Sequence, residues 1–314
     1  MKFICAQPGI KYYMWQLEVM LHNFRKVGIN MNDVHLLLAK NSTEPEGVYR
    51  YEEAANLAEE YKCNIFWYED TRGDYSYIPS IYFNMMKQHM AAHPELLDEA
   101  LFCHDSDIIF TRPVDFSDME GDDVWYLSDT VGYIGTQYIL TKGEDVLNGM
   151  CKVIGIDPTV PKIMNKNSGG GQHIIKGATY EYWDKVEKDS IKLYKWFCDT
   201  EYLHKQDGRE GYPIQKWTAG MWSLLWNSWL FGHETRVDKR LDFCWATDPI
   251  ERWSKAPIFH NAGVTTSKGY FYKGSYTSSY PYGLKLDVSP KFCTYNYYQH
   301  ILEVSNTSVI KNVK

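Results

Sequence analysis

The stretch "ALFCHDSDIIFTRP", residues 100–113, sets Asp105 and Asp107 between two runs of core-type residues. In an extended segment, residues two apart point the same way, so these two carboxylates can converge on one point. Oxygen ligation of that kind suits a hard divalent ion, Mg or Mn, whose shell is completed by substrate phosphates and water. An Asp-x-Asp triplet arises about once by chance in a chain of this length. This one is the only such triplet, and it follows a strand-like run. The competing structural reading is a pair of solvated turn aspartates capping Arg112.

Two further stretches carry candidate chemistry. "NSGGGQHIIKG", residues 167–177, holds Gly169, Gly170 and Gly171 followed by Gln172. Consecutive glycines cost backbone entropy and are tolerated where a backbone must approach something closely, or in a plain turn. "APIFHNAGV" ends an apolar run at His260, with Gly263 and Lys268 beyond; a histidine there is either a satisfied core residue or a ligand. Taken together, a carboxylate pair, a distal histidine and nearby lysines can hold a divalent ion on a diphosphate, with glycine backbone and aromatic walls around a second substrate part. The chain has no GxxxxGK[ST], no GxGxxG after its first strand, no GxSxG and no HExxH. P-loop, dinucleotide, serine-hydrolase and zincin chemistries are thereby excluded, and a nucleotide-diphosphate site without those motifs points to sugar transfer.

The elements that must position these residues follow from hydrophobic periodicity. "KFICAQ" is expected as a first strand, "YYMWQLEVMLHNFRKVG" as a helix ended by Gly28, "DVHLLLA" as a strand, "EEAANLAEEYK" as a helix, and "NIFWYE" as a strand. A helix entered at Pro79 and a fourth strand, "EALFCH", come next. This alternation predicts an α/β fold with a mostly parallel central sheet flanked by helices, and it places Asp105 and Asp107 at a strand's carboxyl end, where open α/β sheets bind ligands. In the second half, "DDVWYLSD" and "GYIGTQYIL" read as strands, "EDVLNGMCKVIG" as a helix, and "NSGGGQHIIKG" as a glycine-rich loop entering a strand. "YEYWDKVEKDSIKLYKWF" and "PIQKWTAGMWSLLWNSWLFG" read as helices, the latter packing Trp222, Trp226 and Trp229 into the core. Residues 265–283 form a Gly/Ser/Tyr-rich loop. With no repeat and no clear linker, the expectation is one domain over 1–314, with a nucleotide-binding half, 1–113, and an acceptor and sugar half, 114–314.

Bulk composition narrows the function classes. Of 314 residues, 44% are hydrophobic and 23% charged, a globular balance, while aromatics reach 16% and supply stacking surfaces for a binding cleft. A net charge of -7 argues against a protein that coats a polyanion with a basic surface. Seven scattered cysteines without a CxxC pair read as thiols in a reducing compartment. The opening residues read as a strand rather than a signal peptide, and 217–231 is too short and too polar to span a bilayer. The expected location is cytoplasmic.

Several landmarks, in order, resemble the GT-A glycosyltransferases with their Asp-x-Asp motif. The likeness is greatest to a branch that includes plant hydroxyproline O-arabinosyltransferases and peptidyl-serine galactosyltransferases. They are "YYMWQ" (12–16), "DSDIIFTRP", "NSGGGQ" (167–172), the Trp/Met helix ending in Gly-His, and "IFHNAGV". The resemblance departs at Gly220, where the branch usually carries an acidic residue before the Met-aromatic pair.

The resemblance implies a retaining transfer of arabinose, glucose or galactose from a UDP-sugar to a hydroxyl. It implies Mn or Mg at Asp105, Asp107 and His260, with Asp105 near the ribose, and Asp105, Asp107 and Gln172 in the catalytic set. Uracil would sit near Ala6, Gln7, Pro8 and Tyr12, with Tyr13 or Trp67 stacking on it. Gln16, Ser106, Gly263 and Lys268 would also serve the donor, and Gly169, Gly170, Gly171 and Gln172 would face the sugar. Lys268 or Lys273 would add charge to the leaving diphosphate, on a loop that could close as a lid. The acceptor expectation is a hydroxymethylpyrimidine in viral DNA, glycosylated in the host cytoplasm, or else a protein or glycan hydroxyl. The alternative class is a non-catalytic module binding a divalent ion or carbohydrate.

Overall fold

A computed structural model describes residues 1–45, 47–121, 123–206 and 213–311, with backbone only for 202–206. The chain opens with strand β1 (Lys2–Pro8), helix α1 (Lys11–Lys26), β2 (Val34–Lys40), α2 (Tyr51–Tyr61) and β3 (Asn64–Glu69). It continues through α3 (Ser80–Ala92), β4 (Leu101–His104), β5 (Ile108–Phe110) and β6 (Trp125–Asp129). Helices α4 (Val131–Ile134), α5 (Thr136–Leu140), α6 (Glu144–Ile154) and α7 (Thr159–Ile163) precede β7 (Gly169–Ile175), α8 (Tyr180–Gln206) and α9 (Ala219–Leu230). The described chain ends with β8 (Thr235–Val237), β9 (Phe243–Trp245), β10 (Ile258–His260) and α10 (Thr294–Ser305).

The fold is mixed α/β, with a seven-stranded sheet in the order β3-β2-β1-β4-β7-β6-β8 and a three-stranded sheet in the order β5-β10-β9. β1, β2 and β3 pair in parallel, as alternation of strands and helices requires. β6 is parallel to β8 and antiparallel to β7. Among the described residues no helix is long and apolar enough to cross a membrane.

The chain divides into two compact units, one of 1–69, 103–117 and 240–314, the other of 70–102 and 118–239. In the first, α1 is buried along nearly its whole length from Met14 to Phe24, so it is a core helix rather than an amphipathic surface one. In the second, Trp222 and Trp226 pack with Phe197, Leu147 and Met150, as their spacing predicts, and Trp229 lies partly buried against that core.

The second unit corrects two expectations. "GYIGTQYIL" is not a strand but the helices α4 and α5. The reason is that β6 already pairs with β7 on one side and β8 on the other, leaving no edge for it. The turn between the two helices is held instead by Asn165, whose Oδ1 accepts the Thr136 N–H at 2.7 Å. The glycine run is likewise not a loop leading into a strand but the first half of β7 itself. A side chain at Gly169 would meet Leu127 and Ser128, and one at Gly170 would meet Met221. Gly171 has a φ of 84° where the β6–β7 register shifts, a conformation that favours glycine.

Candidate functional site

The acidic pair occupies the turn between β4 and β5, residues 105–107. Two anchors fix this turn. Asn23, buried on α1, donates its amide to the Phe110 carbonyl at 2.9 Å and accepts the Phe110 N–H at 2.8 Å. Beyond β5, Arg112 donates to the carbonyls of Ser254, Lys255 and Ala256. Arg112 is therefore engaged by backbone, which removes the reading in which the aspartates cap it.

His260 reaches the pair through sheet register. β10 runs antiparallel to β5 with His260 opposite Ile108, and the Asn261 N–H donates to the Asp107 carbonyl at 2.9 Å. The His260 Nε2 lies 3.3 Å from Asp107 Oδ1 and 3.6 Å from Asp105 Oδ2. One ligand atom from each of Asp105, Asp107 and His260 lies within 4.8 Å of the others. The imidazole is held flat by Trp245, stacked at 5.5 Å and 22°. A fourth group joins them: the Lys273 ammonium is ion-paired with Asp107 Oδ2.

Charge in this cluster is uneven. Burial alone would raise Asp107, but the Lys273 ammonium and His260 hold its carboxyl well below the usual range. Lys273 is raised in return, burial being overcome by Asp107. His260 is also raised, since Asp107 and Asp105 outweigh the desolvation that disfavours its charge. Burial pushes Asp105 up, against the pull of His260 and with the like charge of Asp107, although its side chain keeps 47% of its surface open. Asp105 is thus the member that solvent reaches, and Asp107, 4% exposed, is the buried anchor.

The donor set fits a hard divalent cation: two carboxylates, and an imidazole whose Nε2 faces both of them.

Among the other candidates of the first unit, Tyr12 and Tyr13 feel this centre electrostatically. The Cys5 thiol is pushed up by burial and then by Asp105 and Asp107, and Ala6, Gln7 and Pro8 follow it at the end of β1. Tyr12 and Tyr13, in edge contact at the start of α1, are raised by burial, and both feel Lys273 and Asp107. Gln16 and Ser106 are buried and engaged internally. Gln16 donates to the Tyr12 carbonyl at 2.7 Å and accepts from the Ser106 hydroxyl at 3.4 Å. Trp67 lies over Gly9, where a Cβ would fall 2.2 Å from its ring, and packs on Tyr51 at 4.3 Å. Gly263 turns the chain after His260 with a φ of 81°. Lys268 lines a pocket of about 300 Å³ with Tyr270, Tyr272 and Lys285.

The aromatic loop is tied down on both sides of Lys273. Phe271 is buried and stacked on Tyr276 at 5.4 Å, and the Trp15 indole donates to the Tyr276 carbonyl at 3.3 Å. Farther on, Tyr280 donates to Glu53, and Tyr282 donates to the buried Glu18 at 2.6 Å.

Gly169, Gly170, Gly171 and Gln172 belong to the second unit. There Gln172 is buried, and its Oε1 accepts the Ser128 hydroxyl at 2.8 Å while its Nε2 has no partner among the described residues. Sequence reasoning passed over Asn23, Trp245 and Asn261. Asn261 had one signal, its place directly after His260.

No model of a known protein family matches the chain, and no curated protein matches it. Among solved structures it is similar to the WbbM bifunctional glycosyltransferase in its apo form, at 9% identity and a TM-score of 0.46, over 86% of this chain and 47% of that one. It is also similar to a glycosyltransferase involved in the glycosylation of the major capsid of PBCV-1, at 11% identity and a TM-score of 0.36, over 82% and 92%. The chain spans about half the length of the first. Both scores fall below 0.5, so the functional reading rests on the chain's own residues.

Proposed function

We propose that this protein is a metal-dependent glycosyltransferase that moves a sugar from a nucleotide sugar to a hydroxyl acceptor. The observation that carries the reading is the convergence of Asp105, Asp107 and His260 at a turn between strands, with Lys273 on the same carboxylate. The resemblance of "DSDIIFTRP", "NSGGGQ" and "IFHNAGV" to the Asp-x-Asp transferases refines it to a UDP-sugar donor and retention of configuration.

Asp105, Asp107 and His260 would hold the cation, Mn or Mg. Such an ion supplies positive charge to a diphosphate as it leaves. Lys273 supplies a second positive charge at the same carboxylate and is raised enough to stay protonated at neutral pH. Tyr12 and Tyr13 are kept as neutral phenols by burial and offer ring faces and hydroxyl donors to a nucleoside. The end of β1 and Trp67 belong to the same donor assignment, as do Gly263 and Lys268. In the second unit, the unpartnered Gln172 Nε2 supports a ligand-facing role for "NSGGGQ".

The test is UDP release from UDP-glucose, UDP-galactose and UDP-arabinose with Mn or Mg. Acceptors would include hydroxymethylcytosine DNA and hydroxyl-bearing peptides and glycans. Release that vanishes in Asp107→Ala supports the reading. Absence of both nucleotide binding and release across the panel overturns it.

A further inference from the structure

We propose that the Asn261 carboxamide is a recognition group for a sugar hydroxyl of the bound nucleotide, an inference that rests on the transferase reading above. Asn261 is 2% exposed, and neither its Oδ1 nor its Nδ2 has a hydrogen-bond partner among the described residues. A buried amide with one orphaned atom is costly; with both orphaned, it is a poor structural residue. Its place in the chain explains the tolerance. It follows the metal-ligand candidate His260 directly, and its backbone N–H is bonded to the carbonyl of Asp107. It is buried to the same degree as those two neighbours, which stand at 8% and 4%.

The amide's chemistry selects the class of partner. A carboxamide both donates and accepts, and so does a hydroxyl. A phosphate at neutral pH only accepts, and it would leave Oδ1 orphaned beside negative charge. A hydroxyl satisfies both atoms where the donor binds, and a site built to bond a hydroxyl rejects a ligand that lacks it. A nucleotide sugar offers two hydroxyl sources, the ribose and the transferred sugar.

The experiment compares wild type with Asn261→Leu, a near-isostere without polar atoms. Melting temperature is measured without ligand, and affinities are measured for Mn alone, UDP, 2′-deoxy-UDP and UDP-glucose, the nucleotides in the presence of Mn. The expected result is a ligand-free melting temperature equal to or above that of wild type, because an orphaned amide has been removed. Mn affinity stays unchanged and UDP-glucose binds about tenfold more weakly. If the hydroxyl is on the transferred sugar, UDP binds both proteins alike. If it is the ribose 2′-hydroxyl, UDP is weakened while 2′-deoxy-UDP binds both alike; if it is the 3′-hydroxyl, the two are weakened together. A variant that melts lower yet binds UDP and UDP-glucose like wild type overturns the inference and makes Asn261 structural. Loss of Mn affinity alongside the nucleotide loss also overturns it. Should Asn261→Leu fail to fold, Asn261→Ala is measured against the same ligands: weakened UDP-glucose binding supports the inference, and wild-type binding overturns it. Wild type that binds neither Mn nor nucleotide sinks the transferase reading and this inference with it, whereas wild-type binding preserved in the variant sinks the inference alone.

Discussion

Lys273 places its ammonium on the one carboxylate of the acidic pair that solvent barely reaches, Asp107. The same oxygen-rich point therefore has two claimants, a lysine of the chain and a divalent cation.

Competition between them is measurable. Lys273→Met should lower the melting temperature of the metal-free protein, because a buried carboxylate loses its partner at a cost of about 3–5 kcal/mol. The stabilisation on adding Mn should then exceed that of wild type, since the ion no longer has to displace an ammonium. Thermal shifts with and without Mn decide it; equal Mn-induced shifts in both proteins would show that Lys273 and the ion do not share Asp107.

Loss of the anchor should be severe in function. Asp107→Asn keeps the shape but removes the charge, so it should abolish the Mn-induced shift and lower nucleotide release by at least about 100-fold. Release within a few-fold of wild type would remove Asp107 from the site.

The pH response follows from His260. Its folded pKa is raised by Asp107 and Asp105, so its stabilisation is fully present below the unfolded value of about 6.5 and is lost as pH rises through the folded value. The metal-free melting temperature should fall over that window, and His260→Gln should flatten the fall. Ligation needs the neutral ring, so Mn affinity should rise over the same window. Calorimetric titration across it would expose an opposite slope.

The frame behind the site can be loosened without touching it. Asn23→Ala removes both bonds to Phe110 and should cost about 2–3 kcal/mol in chemical denaturation. Because those bonds fix β5, Mn affinity should fall as well. A stability loss with unchanged Mn affinity would mean that the turn holds its shape without α1.

Gly9→Ala should be destabilising by about 1–3 kcal/mol, since its methyl would collide with Trp67. Trp fluorescence and melting temperature report it together. A melting temperature equal to wild type would show that the indole moves aside freely.

Much of the first half was legible in sequence because each strand and helix there carries its own period, from "KFICAQ" through "EALFCH". The carboxylate pair and His260 were legible for the same reason, each ending an apolar run. The three-stranded sheet was not, since strands as short as Ile108–Phe110 and Ile258–His260 have no period to read. "GYIGTQYIL" misled because its β-type residues bury as helices once the edges of β6 are taken. The helix Thr294–Ser305, rich in tyrosine, passed unread. Asn23, Trp245 and Asn261 act through register and packing, which no local pattern encodes.

The anchors around Lys273 set a clock. With Phe271 and Tyr276 buried on either side and Tyr280 and Tyr282 bound to carboxylates farther on, the backbone that carries the lysine is held in place. Its exchange between Asp107 and an arriving ligand then falls to breaking the Lys273–Asp107 ion pair and rotating the side chain, rather than to a movement of the loop backbone. Arrival at this carboxylate would be timed by how often the lysine lets go of it.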